Sequence, residues 1–269
     1  MRIAKADGIT EEFQPQKLIE SLERAGAPRD LAEHIEQEVA EELYDGITTH
    51  EIYGGAFARL RRERRPAAAR YSVKRALIEF GPSGFPFESY IADLFRAEGF
   101  TAEVDQIIKG ACVEHEVDVI VHKENTTLYG EAKFHNALGI KTDLKVALYV
   151  AARIDDIKAA HHPDATGLLV TNTKFTDKAL AYAQCRGLEL LSWDYPQNQT
   201  LHERIERAKL YPVTALTSLS KREKNALLSQ RMVLCGDLAK HGELLPNIGV
   251  VGKRAETVIE EAGALCPAV

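Results

Sequence analysis

The chain lacks paired cysteines. Cys112, Cys185, Cys235 and Cys266 are scattered, with no C-x-x-C among them. That spacing argues against structural zinc and fits a reducing compartment, so a cytoplasmic location is expected. No apolar run reaches the roughly 18 residues of a membrane span, and no apolar stretch follows Met1 as a signal peptide would. No internal repeat or low-complexity tract stands out. An excess of positive charge is also missing: 34 Lys/Arg face 40 Asp/Glu, a net charge of −6. Composition alone therefore does not advertise a nucleic-acid binder.

What is present is a chain of 269 residues, long enough for two or three domains. Two breaks punctuate it, Gly81-Pro82-Ser83-Gly84 and Pro196-Gln197-Asn198. They divide it into segments 1–82, 83–197 and 198–269. Residues 81–200 hold the acidity, with 11 Lys/Arg against 17 Asp/Glu. A dense cationic run, Arg59, Arg61, Arg62, Arg64, Arg65, Arg70, Lys74 and Arg75, faces only Glu63. It suits the phosphates of DNA or of a nucleotide, or else a solvated helix pair facing the acidic stretch 33–45.

In the middle segment, Val117-Asp118-Val119-Ile120-Val121 and Leu128-Tyr129-Gly130-Glu131-Ala132-Lys133-Phe134 read as two strands of a hairpin, turning at Asn125-Thr126. Alternation puts Glu131 and Lys133 on one face and Gly130, Ala132 and Phe134 on the other. Charges inside apolar strands are costly unless paired or metal-bound. Asp118 and Glu131 aimed at one point make a hard-oxygen site for Mg²⁺ or Mn²⁺. Lys133 beside them can orient or deprotonate a water, a constellation suited to phosphodiester hydrolysis. The flanking pattern is a helix from Phe85 to Gly99, the strands, a helix over 141–160, a strand at 167–171, a helix at 176–186 and a strand at 188–193. That order predicts an α/β sandwich with a mixed sheet. Lys141, Lys145, Tyr149 and Arg153 form a stripe at i, i+4 spacing, suited either to DNA phosphate or to a balanced exposed face. His161-His162-Pro163-Asp164 lies in a loop without metal-ligand spacing elsewhere.

On these residues, segment 83–197 resembles the PD-(D/E)xK nucleases of the Mrr-like restriction endonuclease type. The carriers are Phe87-Glu88, Ile91, Leu94-Phe95 and Gly99-Phe100, then Val117-Asp118-Val119-Ile120, then Glu131-Ala132-Lys133. The resemblance implies a metal-dependent endonuclease. Asp118 and Glu131 would be its metal ligands, Lys133 its catalytic lysine, and Glu88 the acidic residue of the first helix, binding a second ion or positioning the first. The alternative for Glu88 is a surface carboxylate favoured by the helix dipole. Glu116 stands where many relatives have Gly, and Glu131 where many have Gln. The same geometry without catalysis would make a nucleotide-sensing DNA-binding or regulatory protein.

Segment 1–82 reads as a hairpin turning at Asp7-Gly8 and four helices: Gln16–Leu22, Leu31–Leu43, one capped by Thr48 or Thr49, and Ala67–Ile78. Ile3, Lys5, Asp7, Gly8, Phe13, Lys17, Tyr71 and Arg75 resemble the ATP-cone, a nucleotide-sensing module. The resemblance implies phosphate contacts from Lys5 and Lys17 and nucleotide contacts near Thr49 and Tyr53, while Lys74 belongs to the cationic run. Ala6 replaces the family's Arg and Tyr53 a frequent His, departures that imply weakened, altered or lost binding of ATP or dATP. The last segment is expected to be helical. Leu244–Ile259 resembles a helix-hairpin-helix, with Gly249 and Gly252 at unusual spacing. The expected partners are DNA or RNA, a nucleotide and a second copy of the chain, since duplex cleavage usually needs two active sites.

Overall fold

The computed structural model describes residues 1–5, 8–81, 84–160 and 164–266. Ala6, the Asp7 turn, Pro82-Ser83 and His161–Pro163, singled out above, lie outside the described residues. The chain divides into two compact units. One joins Met1–Ala76 to Tyr211–Val269, and the other is Leu77–Leu210.

The first unit opens with antiparallel strands β1 (Arg2–Ala4) and β2 (Thr10–Glu12). Helices α1 (Pro15–Arg24), α2 (Arg29–Glu41) and α3 (Thr49–Glu63) follow. Thr48 and Glu51 close a reciprocal capping box at the start of α3, so Thr48 is the cap. Each helix turns one apolar stripe inward, and Leu22, Ile35, Ala56 and Leu60 meet in one core. The expected fourth helix is two: α4 (Arg65–Tyr71) and α5 (Val73–Ile78). Ser72 separates them, its hydroxyl donating to the Ala69 carbonyl. Such a local side-chain bond competes with the helical ladder.

The second unit begins with α6 (Phe85–Ala97), whose Phe87, Tyr90, Ile91, Leu94 and Phe95 are buried. It lies on β3 (Thr101–Lys109) and β4 (Glu114–Lys123). Strand β5 (Thr126–Lys133) completes the antiparallel run. Short β6 (Lys141–Thr142) precedes α7 (Leu144–Ala160). Then come β7 (Thr166–Thr171), β8 (Lys174–Phe175), α8 (Asp177–Cys185), β9 (Glu189–Leu191) and α9 (Leu201–Ala208). The five-stranded sheet has order β3-β4-β5-β7-β9, with β5-β7 and β7-β9 parallel, while β6 and β8 pair apart from it. The parallel strands β7 and β9 alternate with helices, as a crossover connection requires. Ala147, Val150, Ile154 and Ile157 of α7 and Ala179 and Ala183 of α8 pack with Tyr129 and Leu169 of the sheet. This is the mixed α/β sandwich read from the sequence.

Two charged contacts fix the sheet to its helices. Asp156 of α7 accepts from the Cys112 amide at 2.8 Å and meets His115 Nε2 at 2.7 Å, tying down the β3–β4 turn. The His115 ring holds the Asp156 carboxyl down to about 2. Arg204 of α9 pairs with Glu98 at the end of α6, so α9 belongs with the sandwich although it follows the second break.

The rest of the chain is α10 (Lys221–Ser229), α11 (Cys235–Lys240) and α12 (Lys253–Leu265). Ser220 caps α10 in a capping box with Glu223. A 3₁₀ turn over Gly242–Ile248 ends at Gly249 in the left-handed conformation, φ 82°. These helices fold onto the N-terminal module. Thr214 Oγ1 donates to the Ala76 carbonyl at 2.8 Å, and Arg70 to that of Ala264 at 3.2 Å. Linker composition separates 198–269 from 1–82, whereas the fold joins Tyr211 onward to the N-terminal module. Among the described residues, no helix is long and apolar enough to cross a membrane.

Gly130 shows how closely β4, β5 and β7 approach beside Glu131. A Cβ there would lie 2.6 Å from Val119 Cγ1 and 3.0 Å from the Val119 carbonyl oxygen. Gly130→Ala is expected to cost about 1–3 kcal/mol, as overpacking does. Thermal unfolding checks this, and an unchanged midpoint would mean that the strands can spread.

Candidate active site

Antiparallel register places the site. Val119 faces Gly130 and Ile120 faces Tyr129 across β4 and β5. The next step of that register sets Asp118 opposite Glu131, and directly opposed residues share a face. Asp118 Oδ2 also accepts the Ala132 amide hydrogen at 2.7 Å, which pins its carboxylate to β5. Lys133 stands two residues beyond Glu131 on the same face. Asp118, Glu131 and Lys133, predicted from the hairpin, thus occupy one neighbourhood.

Two more carboxylates enter it. Val104 pairs with Val119 and Gln106 with Val117, so Asp105 sits between these pairs, opposite Asp118. Asp105 is left-handed, at φ 55°, on the edge strand. A non-glycine residue rarely takes that conformation, and short polar Asp is among those that tolerate it. Glu116 lies two residues before Asp118. Glu88, in the first turn of α6, feels all of them. Burial first, then the charges of Asp118, Asp105, Glu116 and Glu131, push its carboxyl up to about 7. Burial and Glu131 likewise raise Asp118, against the Ala132 hydrogen bond and the Arg153 and Lys133 charges. Acidic groups crowd together here and hold protons because negative charge is in excess.

Arg153 is the correction to the sequence reading. The stripe placed it on an exposed face with Lys141, Lys145 and Tyr149. Lys141 instead lies in β6, before α7 begins. Arg153 has a side chain only 6% exposed and pairs with Glu131 through Nη1–Oε2 at 3.0 Å. Its guanidinium lies 4.6 Å from the Tyr149 ring centre, and its buried Nε has no hydrogen-bond partner. The signal was available: Val150 and Ile157, three residues before and four after, are both apolar and share its helix face. Periodicity of the apolar residues, rather than of the cations, locates Arg153 inside. Asp105 was passed over because it lies outside the motif, and Glu116 was read only as a replacement for the Gly of many relatives. Asp105 joins through strand pairing, which a local pattern does not reveal.

The donor set suits a hard dication. Asp118 and Glu131 offer carboxylate oxygens, and the excess charge that raises Glu88 and Asp118 is what a dication relieves. Among the described residues, no three His, Cys, Asp or Glu gather tightly enough to hold a metal unaided. Mg²⁺ commonly uses one or two carboxylates and fills its shell with water and phosphate oxygens.

Behind Lys133, a buried polar network fixes the strand end. Asn172 is fully buried, accepts the His135 amide at 2.9 Å and donates to the His135 carbonyl at 2.8 Å. His135 Nε2 lies 2.9 Å from Thr142 Oγ1. Burial and the Lys133 charge lower the His135 pKa, which favours a neutral ring.

The nucleotide candidates lie in the other unit. Lys5 pairs with Glu11 at 2.5 Å, Lys17 is exposed, and Thr49 opens α3. Lys74, on α5, is partly buried. Tyr53 is stacked on Tyr71, with ring centres 4.9 Å apart and planes at 6°. The Arg75 guanidinium lies 3.6 Å over the Tyr53 ring and reaches His50 Nδ1 at 2.9 Å. The fold thus brings Tyr53, Tyr71 and Arg75 together, while Lys5 is engaged elsewhere.

Two measurements test the electrostatics. Below about 4.5, Glu88 is protonated in both folded and unfolded chains. Between 4.5 and about 7 the unfolded chain releases a proton that the folded one keeps. Stability in EDTA is therefore expected to fall as pH rises through that window and then level off. Glu88→Gln should flatten this fall, leaving the smaller contribution of Asp118, and an identical pH profile would contradict the assignment. Arg153→Met leaves Glu131 without its counter-ion. It is expected to cost about 3–5 kcal/mol in EDTA, the usual penalty for breaking a buried pair. Added Mg²⁺ should stabilise this variant more than the wild type. Equal Mg²⁺ shifts would separate Arg153 from the metal site.

Comparisons with known proteins agree with this anatomy. Residues 1–77 match the ATP cone domain, 82–195 the restriction endonuclease family Mrr_cat, and 211–266 the AF1548-like C-terminal family. An uncharacterised protein of Archaeoglobus fulgidus is 36% identical over 173 residues, covering 64% of this chain and 97% of that one. The crystal structure of AF1548, a protein of unknown function, has TM-score 0.57 and 33% identity, covering 68% of this chain and 100% of the other. A repair endonuclease from Pyrococcus abyssi has TM-score 0.33 at 20% identity, covering 41% of this chain and 46% of its own. The chain belongs to the AF1548-like family, with an ATP cone domain ahead of its restriction-endonuclease domain.

Proposed function

We propose that this protein is a Mg²⁺- or Mn²⁺-dependent endonuclease acting on DNA, with activity governed by ATP or dATP in its N-terminal module. The carrying observation is the meeting of Asp118, Glu131 and Lys133 on adjacent strands of a restriction-endonuclease fold, amid enough negative charge to lift Glu88 to about 7. Perturbed acids cluster at functional sites, which supports this reading.

Asp118 and Glu131 would hold the ion, which when bound supplies Lewis acidity and lowers the pKa of a water. Asp118 is held ready by the Ala132 amide and Glu131 by Arg153, so neither side chain must be ordered at binding. Lys133 faces the same side and stabilises negative charge on a phosphate oxygen. Glu88 carries or yields a proton near neutral pH at its carboxyl oxygen.

For the N-terminal module, support comes from the ATP cone match and from the Tyr53 ring with Tyr71 and Arg75 around it. An aromatic ring beside a guanidinium suits a base and a phosphate. Lys5 is paired with Glu11, a carboxylate that competes with a phosphate for it. Nucleotide alters cleavage only if it binds one arrangement of the chain, or of two copies of it, better than another.

A plasmid nicking assay with Mg²⁺ or Mn²⁺ tests both halves. Cleavage is expected, with loss in Asp118→Asn and Lys133→Met and a roughly 5- to 150-fold change on adding ATP or dATP, the range of a typical coupling. Cleavage that survives in Asp118→Asn would remove the site from the reaction. A rate indifferent to both nucleotides would leave the N-terminal module without that role.

A further inference from the structure

The cationic run of the N-terminal module is not uniformly available. Arg59 is neutralised by Glu38 and Glu42, both at 2.6 Å. Arg75 is engaged by Tyr53 and His50. Arg70 is turned to the Ala264 carbonyl. Arg61 donates to the Thr217 carbonyl at 2.7 Å, a residue 156 positions away. Arg62, Arg64 and Arg65, at the α3–α4 junction, are exposed, and among the described residues none makes an ion pair.

The Arg61 bond matters for what it brings alongside. Thr217 and Ser218 lead into α10, which starts with exposed Lys221 and Arg222. Exposed Arg254 reaches the Ser218 carbonyl and Glu223. Two acids beside this loop are committed. Glu223 caps α10 and pairs with Arg254, and its carboxyl is held down to about 2. Glu261 is buried, accepting from the Thr217 amide at 2.8 Å and the Ser218 amide at 2.9 Å. The fold thus ties Arg61 and Arg254 to the 217–220 loop, with Arg62, Arg64 and Arg65 following Arg61 in the chain and Lys221 and Arg222 following the loop. Exposed Glu63 is the acid left within the run.

We propose that Arg62, Arg64 and Arg65 together with Lys221 and Arg222 form a phosphate-backbone binding surface for duplex DNA, on the unit built from the two ends of the chain. This rests on the nuclease reading for its substrate. It answers a physical need of that reading, since the catalytic segment, with 11 Lys/Arg against 17 Asp/Glu, is acidic and repels DNA. Phosphate binding of this type supplies affinity without sequence preference, each cation releasing condensed counterions.

The test is binding of a labelled duplex by the full chain in EDTA, where nothing is cleaved, between about 50 and 200 mM salt. In the Arg62→Gln/Arg222→Gln double variant the slope of log K against log salt should shrink by about 2, roughly one for each cation removed. Lys178→Gln, an exposed lysine of α8, should leave it unchanged. Equal slopes for wild type and double variant, or no binding by the wild type, would overturn the proposal. The nicking assay reports separately: cleavage with an unchanged slope refutes the surface alone, and a reduced slope without cleavage refutes the nuclease alone.

Discussion

Everything at the candidate site depends on repulsion among its carboxylates. Asp118 and Glu131 face each other across two strands, and Asp105, Glu116 and Glu88 add their fields. Such an arrangement is unfavourable alone, and the protein reduces it in three ways. Arg153 is buried against Glu131. The Ala132 amide hydrogen points at Asp118. Glu88 keeps a proton well above the ordinary range for its type. What remains is a site that gains from a dication, and a fold that tolerates the strain because β5 and β7 are fixed around it by close approach at Gly130 and by buried Asn172.

Local pattern was enough for the hairpin and its three charged residues. Period-two alternation fixes which face Glu131 and Lys133 take, but the turn falls on Glu124-Asn125 rather than on Asn125-Thr126, with Glu124 left-handed at φ 54°, and that one-residue displacement is what sets Asp118 opposite Glu131. The start of α3 was similarly legible, because Thr48 caps it with a side-chain oxygen. The remainder required tertiary information. Arg153 looked like part of a cationic stripe, although its apolar neighbours marked an inward face. Asp105 is read only through pairing with β4. The union of the chain's two ends is carried by bonds such as Arg61 to Thr217, spanning more than half its length. No linker composition encodes that closure.

The division into units also reframes the charge distribution. Acidity concentrates in the unit that would do the chemistry, and exposed arginines gather in the unit that carries the ATP cone domain. A nucleotide in the N-terminal module would sit in the same unit as those arginines, so an effect on DNA affinity is as natural an output as an effect on rate.

The central claim is that the Asp118–Glu131 pair binds a divalent ion, and calorimetric titration of Mn²⁺ into the full chain tests it most directly. The account predicts one site that disappears in Asp118→Asn while the variant keeps its fold by circular dichroism. Equal Mn²⁺ binding by folded Asp118→Asn would contradict it.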